Sequence, residues 1–253
     1  MTPAATKRSN EYLLAVEGVT VSFDGFKAVD DLSLYIDHEE IRAVIGPNGA
    51  GKTTVLDLIS GRTKAVEGSI KFDGHELTAM REHEIVRVGV GRKFQTPSVY
   101  ETLTVFENLE MSYPKGRTAM GAWLYRRTQA IVDKVHEVVE LIGLKERLEH
   151  RADSLSHGQK QWLEIGMLLV QEPKLMMLDE PVAGMSVPER EQTADLLKRI
   201  CKGRSVIVVE HDMEFVKSIA SRVTVLHQGK WLAEGRMEAV QEDPKVIEVY
   251  LGH

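Results

Sequence analysis

Residues 41–61 read IRAVIGPNGAGKTTVLDLISG, and this stretch decides the fold. Ile41–Ile45 is a short, mostly apolar run that reads as a strand. A glycine-rich turn follows, and then TTVLDLIS carries apolar residues at helical spacing. Between strand and helix, Gly46-Pro47-Asn48-Gly49-Ala50-Gly51-Lys52-Thr53 fits the pattern G-x-x-x-x-G-K-[ST]. Glycines let backbone N–H groups turn inward onto phosphate oxygens, and the helix N-terminus behind them adds the positive end of a dipole. Lys52 is spaced to reach the β- and γ-phosphates, and the Thr53 hydroxyl to ligate Mg²⁺, with Thr54 completing the set. The stretch therefore predicts a nucleotide-binding strand–loop–helix.

Working outward, strand and helix alternate again towards the C-terminus. LMMLDE (175–180) and SVIVVEH (205–211) read as buried strands, and MEFVKSIAS as a helix. Ser186-Val-Pro188-Glu189 combines an N-capping serine, an early proline and a glutamate at the third helical position, so a helix is expected from there to about Cys201. RVTVLH-QG-KWLAEG reads as a hairpin. Upstream, LLAVEGVTVSF alternates as a strand, LSLYI reads as another after a turn-like VDD, and SIKFDG ends in a turn. From about residue 95 to 154 helical patterns dominate. Ile131, Val135, Val138, Val139 and Ile142 share one helical face, and Gly143 is placed to stop that helix. Inside this lobe YPKGRTAMGAWLYRR reads as an irregular insertion. Residues 1–10 are small and polar and are expected to be disordered. The pattern implies an α/β domain over residues 11–253 with a parallel-sheet core, an antiparallel β portion and a helical subdomain.

Composition narrows the class. The 253 residues are 43% hydrophobic and 28% charged with a formal net charge of −6, which argues against a nucleic-acid binder. No apolar run approaches the roughly 20 residues that span a bilayer, and the first ten residues hold no secretory signal, so a cytoplasmic chain is expected. The single cysteine, Cys201, excludes an intrachain disulfide and a cysteine-based zinc cluster, and its place in the apolar-periodic stretch LLKRIC reads as a core or surface thiol rather than a nucleophile.

Three further places carry chemistry. Asp179 and Glu180 end an apolar strand. Alone they could be ordinary surface acids, but beside a phosphate loop Asp179 is placed to hold Mg²⁺ through water and Glu180 to orient or deprotonate an attacking water. Leu155-Ser156-His157-Gly158-Gln159 precedes an apolar helix, and an exposed, capped helix start is also an anion site. His211 ends the strand VIVVEH.

LSHGQ, upstream of the paired acids, resembles the LSGGQ signature of ABC ATPases. The resemblance runs from about Leu13 to the end, with five motifs in the family's order. It implies that Ser156, Gly158 and Gln159 bind the γ-phosphate held by an opposite subunit. Gln95, in RKFQTPSVYETLTVFENL, matches the Q-loop glutamine that senses Mg²⁺ and water and connects to membrane subunits. His211 matches the switch histidine at the γ-phosphate. Phe23 matches the aromatic that stacks on adenine, although a buried strand phenylalanine is the alternative. Departures are His157 where glycine is commonest, which would be strained if that position required φ > 0, Trp162 where a basic residue is frequent, and Ser186 in place of an aspartate.

VGRKFQTPSVYETLTVFENLEM, LSHGQKQWLEIGMLL and DPKVIEVYLGH are similar to the branched-chain amino acid importer group, and within it to the ATP-binding subunit of urea importers. The resemblance implies a P-loop ABC cassette that hydrolyses ATP with Mg²⁺ to power import of a small polar solute, with urea the leading candidate. It implies permease subunits, a second identical or different ATP-binding subunit, a periplasmic solute-binding protein reached indirectly, and a peripheral place on the cytoplasmic membrane face. A branched-chain amino acid importer ATPase is the alternative. A soluble ABC ATPase is a further one, disfavoured by the single cassette and the lack of an extended heptad run.

Overall fold

The computed structural model describes residues 11–94, 98–114 and 126–251. The expected disorder of residues 1–10, the site residue Gln95 and most of the expected insertion lie outside the described residues. In chain order the elements are β1 (Leu14–Phe23), β2 (Phe26–Ile36), β3 (Ile41–Ile45), α1 (Lys52–Ile59), β4 (Glu67–Phe72), β5 (His75–Glu76), α2 (Glu82–Val88) and β6 (Val90–Lys93). There follow α3 (Val105–Met111), α4 (Gln129–Leu141), α5 (His157–Leu169), β7 (Leu175–Asp179), α6 (Val187–Ile200), β8 (Ser205–Val209), α7 (Met213–Ile219), β9 (Arg222–His227), β10 (Lys230–Gly235), α8 (Met237–Gln241) and α9 (Pro244–Leu251). They form two compact units. One comprises the chain up to Arg92, Lys174–Pro181 and the chain from Leu197 on; the other comprises Lys93–Pro173 and Val182–Leu196.

The first unit holds two sheets. An antiparallel sheet has the order β2-β1-β4-β5, and the larger one has the order β10-β9-β3-β8-β7-β6. In the larger sheet β9, β3, β8 and β7 pair in parallel, and β10 turns back antiparallel to β9. Strand β3 shows why its sequence carries no polar alternation. Val44 packs into a core with β1, β2 and α1, while Ala43 and Ile45 pack into a second core with Val216, Met237 and Val240. Both faces are covered, so both need apolar side chains.

The turn expected at VDD is not a turn. Strand β2 runs through Val29-Asp30-Asp31 without a break. Its pairing with β1 shifts register between Val19 and Val21, and Asp31 adopts φ 50 there, donating its N–H to Thr20 Oγ1 at 3.1 Å. A bulge needs a residue that tolerates the left-handed region, and aspartate does so better than most.

One residue in β3 breaks the apolar rule. Arg42 is wholly buried, and its guanidinium donates to Glu40 Oε1 at 2.7 Å, Glu234 Oε2 at 2.6 Å, Thr224 Oγ1 at 2.8 Å and the Tyr35 carbonyl at 2.8 Å. The planar fork thereby ties β2, β3, β9 and β10 together at one point.

In the second unit, Ile131, Val135, Val138 and Val139 of α4 are buried, and Gly143 ends the turn beyond it at φ 71. Gly166 of α5 lets the helices close, since a Cβ there would lie 2.7 Å from Ile142 Cδ1 and 3.0 Å from Leu109 Cδ2.

Removing Arg42 leaves the buried Glu40 without its cation and leaves the part-buried Glu234 with Arg222 at 3.3 Å. Arg42→Met is expected to cost about 3–5 kcal/mol in urea denaturation, the range for breaking a buried ion pair from one side. A loss below about 1 kcal/mol would show that the cluster does not hold the strands.

Candidate active site

The phosphate-loop segment is built by close backbone approach. Gly46 leaves β3 at φ 152, and a Cβ there would lie 2.2 Å from the Leu226 carbonyl oxygen. Gly51 adopts φ 96, and its Cβ would lie 2.6 Å from the Ala28 carbonyl oxygen. Between them Ala50 donates to the Pro47 carbonyl at 3.1 Å, closing a turn over Asn48 and Gly49. The loop is braced from the β9–β10 turn, where Gly229 donates to the Ala50 carbonyl at 3.1 Å and accepts from Asp30 N–H at 2.9 Å.

Helix α1 begins at this loop without help. Its N-cap is Gly51, no side chain caps it, and its first turn holds Lys52, Thr53 and Thr54 but no acid. By contrast α3 and α5 both start with complete capping boxes. A helix start left in this condition presents N–H groups and a positive dipole end to an anion. Lys52 Nζ donates to the carbonyls of Gly46 at 2.7 Å and Pro47 at 3.0 Å. Burial pushes the Lys52 ammonium below its ordinary pKa, while the nearby Glu180 and Asp179 carboxylates pull it back up.

Asp179, the last residue of β7, is buried, and Glu180 follows it at φ 47 with its N–H donating to the Val209 carbonyl at 2.9 Å. A glutamate in the left-handed region is uncommon, and such strain clusters at functional sites. Strand β8 stops at Val209, two residues short of the expected run, and His211 lies just beyond it, its Nδ1 3.6 Å from Glu180 Oε1, with the imidazole mostly exposed. Glu210, missed in the sequence, is buried and accepts from the His211 N–H at 3.0 Å, which fixes the backbone under that imidazole. The signal was present as a second acid before the histidine, but nothing in the strand pattern said which way it turned.

Phe23 is not a buried strand residue. It sits beside the Asp24-Gly25 turn of the β1–β2 hairpin and is 50% exposed, with Phe26 across the turn at 69%. The tip thus offers two open aromatic faces, of which the sequence singled out one.

The Thr53 hydroxyl and Asp179 carboxylate are hard oxygen donors suited to Mg²⁺. Among the described residues there is no cluster of three histidine, cysteine or acidic side chains that would hold a metal by itself.

The signature segment belongs to the second unit. Ser156 is the exposed N-cap of α5; its Oγ accepts from Gln159 N–H at 3.2 Å, and Gln159 Oε1 accepts from Ser156 N–H at 3.0 Å. His157 is the first helical residue and carries no left-handed strain, its ring Nε2 donating to the Ala183 carbonyl at 3.0 Å. The left-handed residue nearby is Gly184, at φ 73. Trp162 Nε1 donates to Thr193 Oγ1 at 2.9 Å. Ser186 donates from N–H at 2.9 Å and from Oγ at 2.7 Å to Glu189 Oε2, which holds that carboxyl below its ordinary pKa. The other oxygen of Glu189 reaches Ser156 Oγ at 3.5 Å, and a Cβ on Gly158 would lie 2.4 Å from it. The sequence marked Glu189 as a helix-start residue but did not place it against the signature.

The chain matches the ABC transporter family over residues 29–183, and the branched-chain amino acid ATP-binding cassette transporter family over residues 232–253. It belongs to the ABC transporter family, as an ATPase of the cassette fold within the branched-chain amino acid group. It is similar to the high-affinity branched-chain amino acid transport ATP-binding protein LivG of Salmonella typhimurium, 36% identical over 95% of this chain and 98% of that one. It is also similar to a probable LivG of Archaeoglobus fulgidus, 34% identical over 95% of both chains. Among solved structures, the ADP conformation of an ATP-binding cassette of an ABC transporter superposes with a TM-score of 0.85 at 31% identity, covering 96% of this chain and 99% of the other. A nucleotide-free cassette superposes at 0.83 with 30% identity, covering 96% and 100%.

The backbone at Glu180 has a thermodynamic consequence. The left-handed region costs a non-glycine residue about 1–2 kcal/mol, and glycine returns about 0.5–1 kcal/mol of that as chain entropy. Glu180→Gly is therefore expected to melt at or above the wild-type temperature while losing turnover. A clear fall in melting temperature would show that the carboxylate's contacts outweigh the backbone strain.

Proposed function

We propose that the chain hydrolyses ATP at the loop formed by Gly46, Pro47, Asn48, Gly49, Ala50, Gly51, Lys52, Thr53 and Thr54, and that this drives solute import through membrane-spanning permease subunits. The observation that carries the reading is the setting of Lys52: a half-buried ammonium at an uncapped helix start, beside the Asp179 and Glu180 carboxylates. On arrival of nucleotide, Lys52 exchanges the carbonyls of Gly46 and Pro47 for phosphate oxygens. Thr53 and Asp179 would hold Mg²⁺, which when bound offsets phosphate charge. Glu180 orients and deprotonates the attacking water, and His211 faces the γ-phosphate from the adjoining strand end. Phe23 stacks on the adenine. Gln95 serves as the water- and Mg²⁺-sensing residue that the family resemblance assigns.

Two such subunits, identical or different, would share two ATP molecules, each held by one chain's phosphate loop and the other's Ser156, Gly158 and Gln159. Among the described residues no helix is long and apolar enough to cross a membrane, which accords with a subunit seated at the cytoplasmic face on permeases. A periplasmic solute-binding protein would act only through those permeases. The relatives named above are ATP-binding proteins of branched-chain amino acid transport, so these amino acids are the preferred cargo, in place of the urea that the sequence resemblance put first. Radiolabelled leucine and urea uptake in a strain lacking this subunit, with and without the restored chain, separates the two.

The chemical roles are tested by Glu180→Gln. ATP binding should persist while hydrolysis falls about 10²–10⁴-fold, the contribution of a general base. Turnover at the wild-type rate would remove Glu180 from this role.

Tyr100 supplies a test of coupling. Its backbone is pinned by the buried Asn108, whose Oδ1 accepts from Tyr100 N–H at 2.7 Å and whose Nδ2 donates to the Tyr100 carbonyl at 3.1 Å. The side chain is left 52% exposed. An exposed aromatic on a fixed backbone suits a docking anchor. Tyr100→Ala should leave the melting temperature and basal ATPase unchanged while permease assembly weakens by about 1–3 kcal/mol. A large fall in melting temperature with normal assembly would assign the ring to the fold instead.

A further inference from the structure

The start of α5 carries an acid that comes from another helix. The first turn of α5 holds no acidic residue of its own. Glu189, in the first turn of α6, supplies one. Its Oε2 accepts from the Ser186 N–H at 2.9 Å and from the Ser186 hydroxyl at 2.7 Å, which anchors one end of the carboxylate. Its Oε1 is turned onto α5, where it accepts from the Ser156 hydroxyl at 3.5 Å. Gly158 shows how close the approach is. A Cβ there would lie 2.4 Å from Glu189 Oε1 and 2.8 Å from its Cδ, so the carboxylate fills the space beside the second residue of α5. Ser156, Gly158, Ser186 and Glu189 all belong to the second unit, and the contact is internal to it.

A carboxylate in this position uses what an arriving phosphate would use: a hydroxyl proton and the positive end of a helix dipole. The start of α1 is the contrast, with no acid in its first turn and no side-chain cap. One helix start is open to an anion, and the other is occupied by the chain's own. The three bonds of Glu189 are also unequal. The long contact to Ser156 is the one that can be given up, while the two short bonds to Ser186 keep the side chain on α6.

We propose that Glu189 is an autoinhibitory residue, its carboxylate standing at the signature helix start in place of the γ-phosphate and yielding Ser156 when the opposite subunit's nucleotide arrives. The inference rests on reading Ser156 and Gly158 as the phosphate contact of an opposite subunit. Glu189 thereby sets the ATP concentration at which the shared sites fill, without touching the chemistry of hydrolysis.

Glu189→Gln removes the charge and keeps a side chain that serves the same cap at the third helical position. ATP hydrolysis is measured against ATP concentration in the transporter assembled from this chain and its partner subunits, with the melting temperature of the chain taken alongside. The expected result is a KM for ATP lowered roughly three- to tenfold, the effect of one charge at a partly buried helix start. The kcat should stay within about twofold, and the melting temperature within about 2 °C of wild type. At about 1 M salt, where the screening length falls to about 3 Å, the ratio of the two KM values should shrink toward one. An unchanged or raised KM in Glu189→Gln would overturn the proposal, and so would a lowered KM whose ratio ignores salt, because charge would not be the cause. Ser156→Arg, measured in parallel, separates the two readings. If it hydrolyses ATP with wild-type KM and kcat, the signature is not a phosphate contact. If it loses activity while Glu189→Gln keeps the wild-type KM, only the role of Glu189 falls.

Discussion

The nucleotide-binding unit depends on a contact made without side chains. Gly51, Gly229 and the Ala28 carbonyl meet so closely that a Cβ at Gly51 would lie 2.6 Å, and one at Gly229 2.7 Å, from the same oxygen. Three distant segments therefore converge on one backbone atom: the β2 strand, the phosphate loop and the β9–β10 turn. The loop owes its shape to this crowding as much as to its own glycines, since each neighbour removes conformations that a free glycine would sample. The start of α1, and with it the direction in which Lys52 leaves the backbone, follows from where that packing puts Gly51.

Around this contact the unit places unlike chemistry at neighbouring strand ends. The loop follows β3, the paired acids end β7, and His211 follows β8; in the sheet these strands lie side by side in the order β3-β8-β7. Parallel pairing sends all three ends the same way, which is how residues about 130 to 160 positions apart in sequence reach one edge. Affinity at that edge is a difference rather than a sum. Lys52 has two carbonyl partners within the chain, so phosphate must improve on them to be bound.

Local patterns were legible in the sequence and long-range partners were not. The phosphate-loop pattern, the strand ends at Asp179 and His211, and the serine cap at Ser156 are each decided within a few residues, so spacing alone locates them. Strands β3, β7 and β8 were legible because burial on both faces leaves an unbroken apolar run. Arg42 was not, because its partners Thr224 and Glu234 lie 182 and 192 residues away and no local rule reveals a buried cation satisfied by them. The exposure of Phe23 turned on Asp24 and Gly25, which reverse the chain before the side chain can be covered. At VDD the composition suited either a turn or a bulge, and pairing with β1 decided between them.

Cys201 offers an experimental opening. It closes the apolar face of α6 with 8% of its surface exposed, and burial pushes its thiol up to about 11. Thiol reagents attack the thiolate, which is scarce at neutral pH under those conditions. It is also the chain's single cysteine. The wild-type sequence therefore behaves as a cysteine-free background, and one engineered cysteine on an exposed position would accept a fluorophore or spin label without any prior replacement in the core.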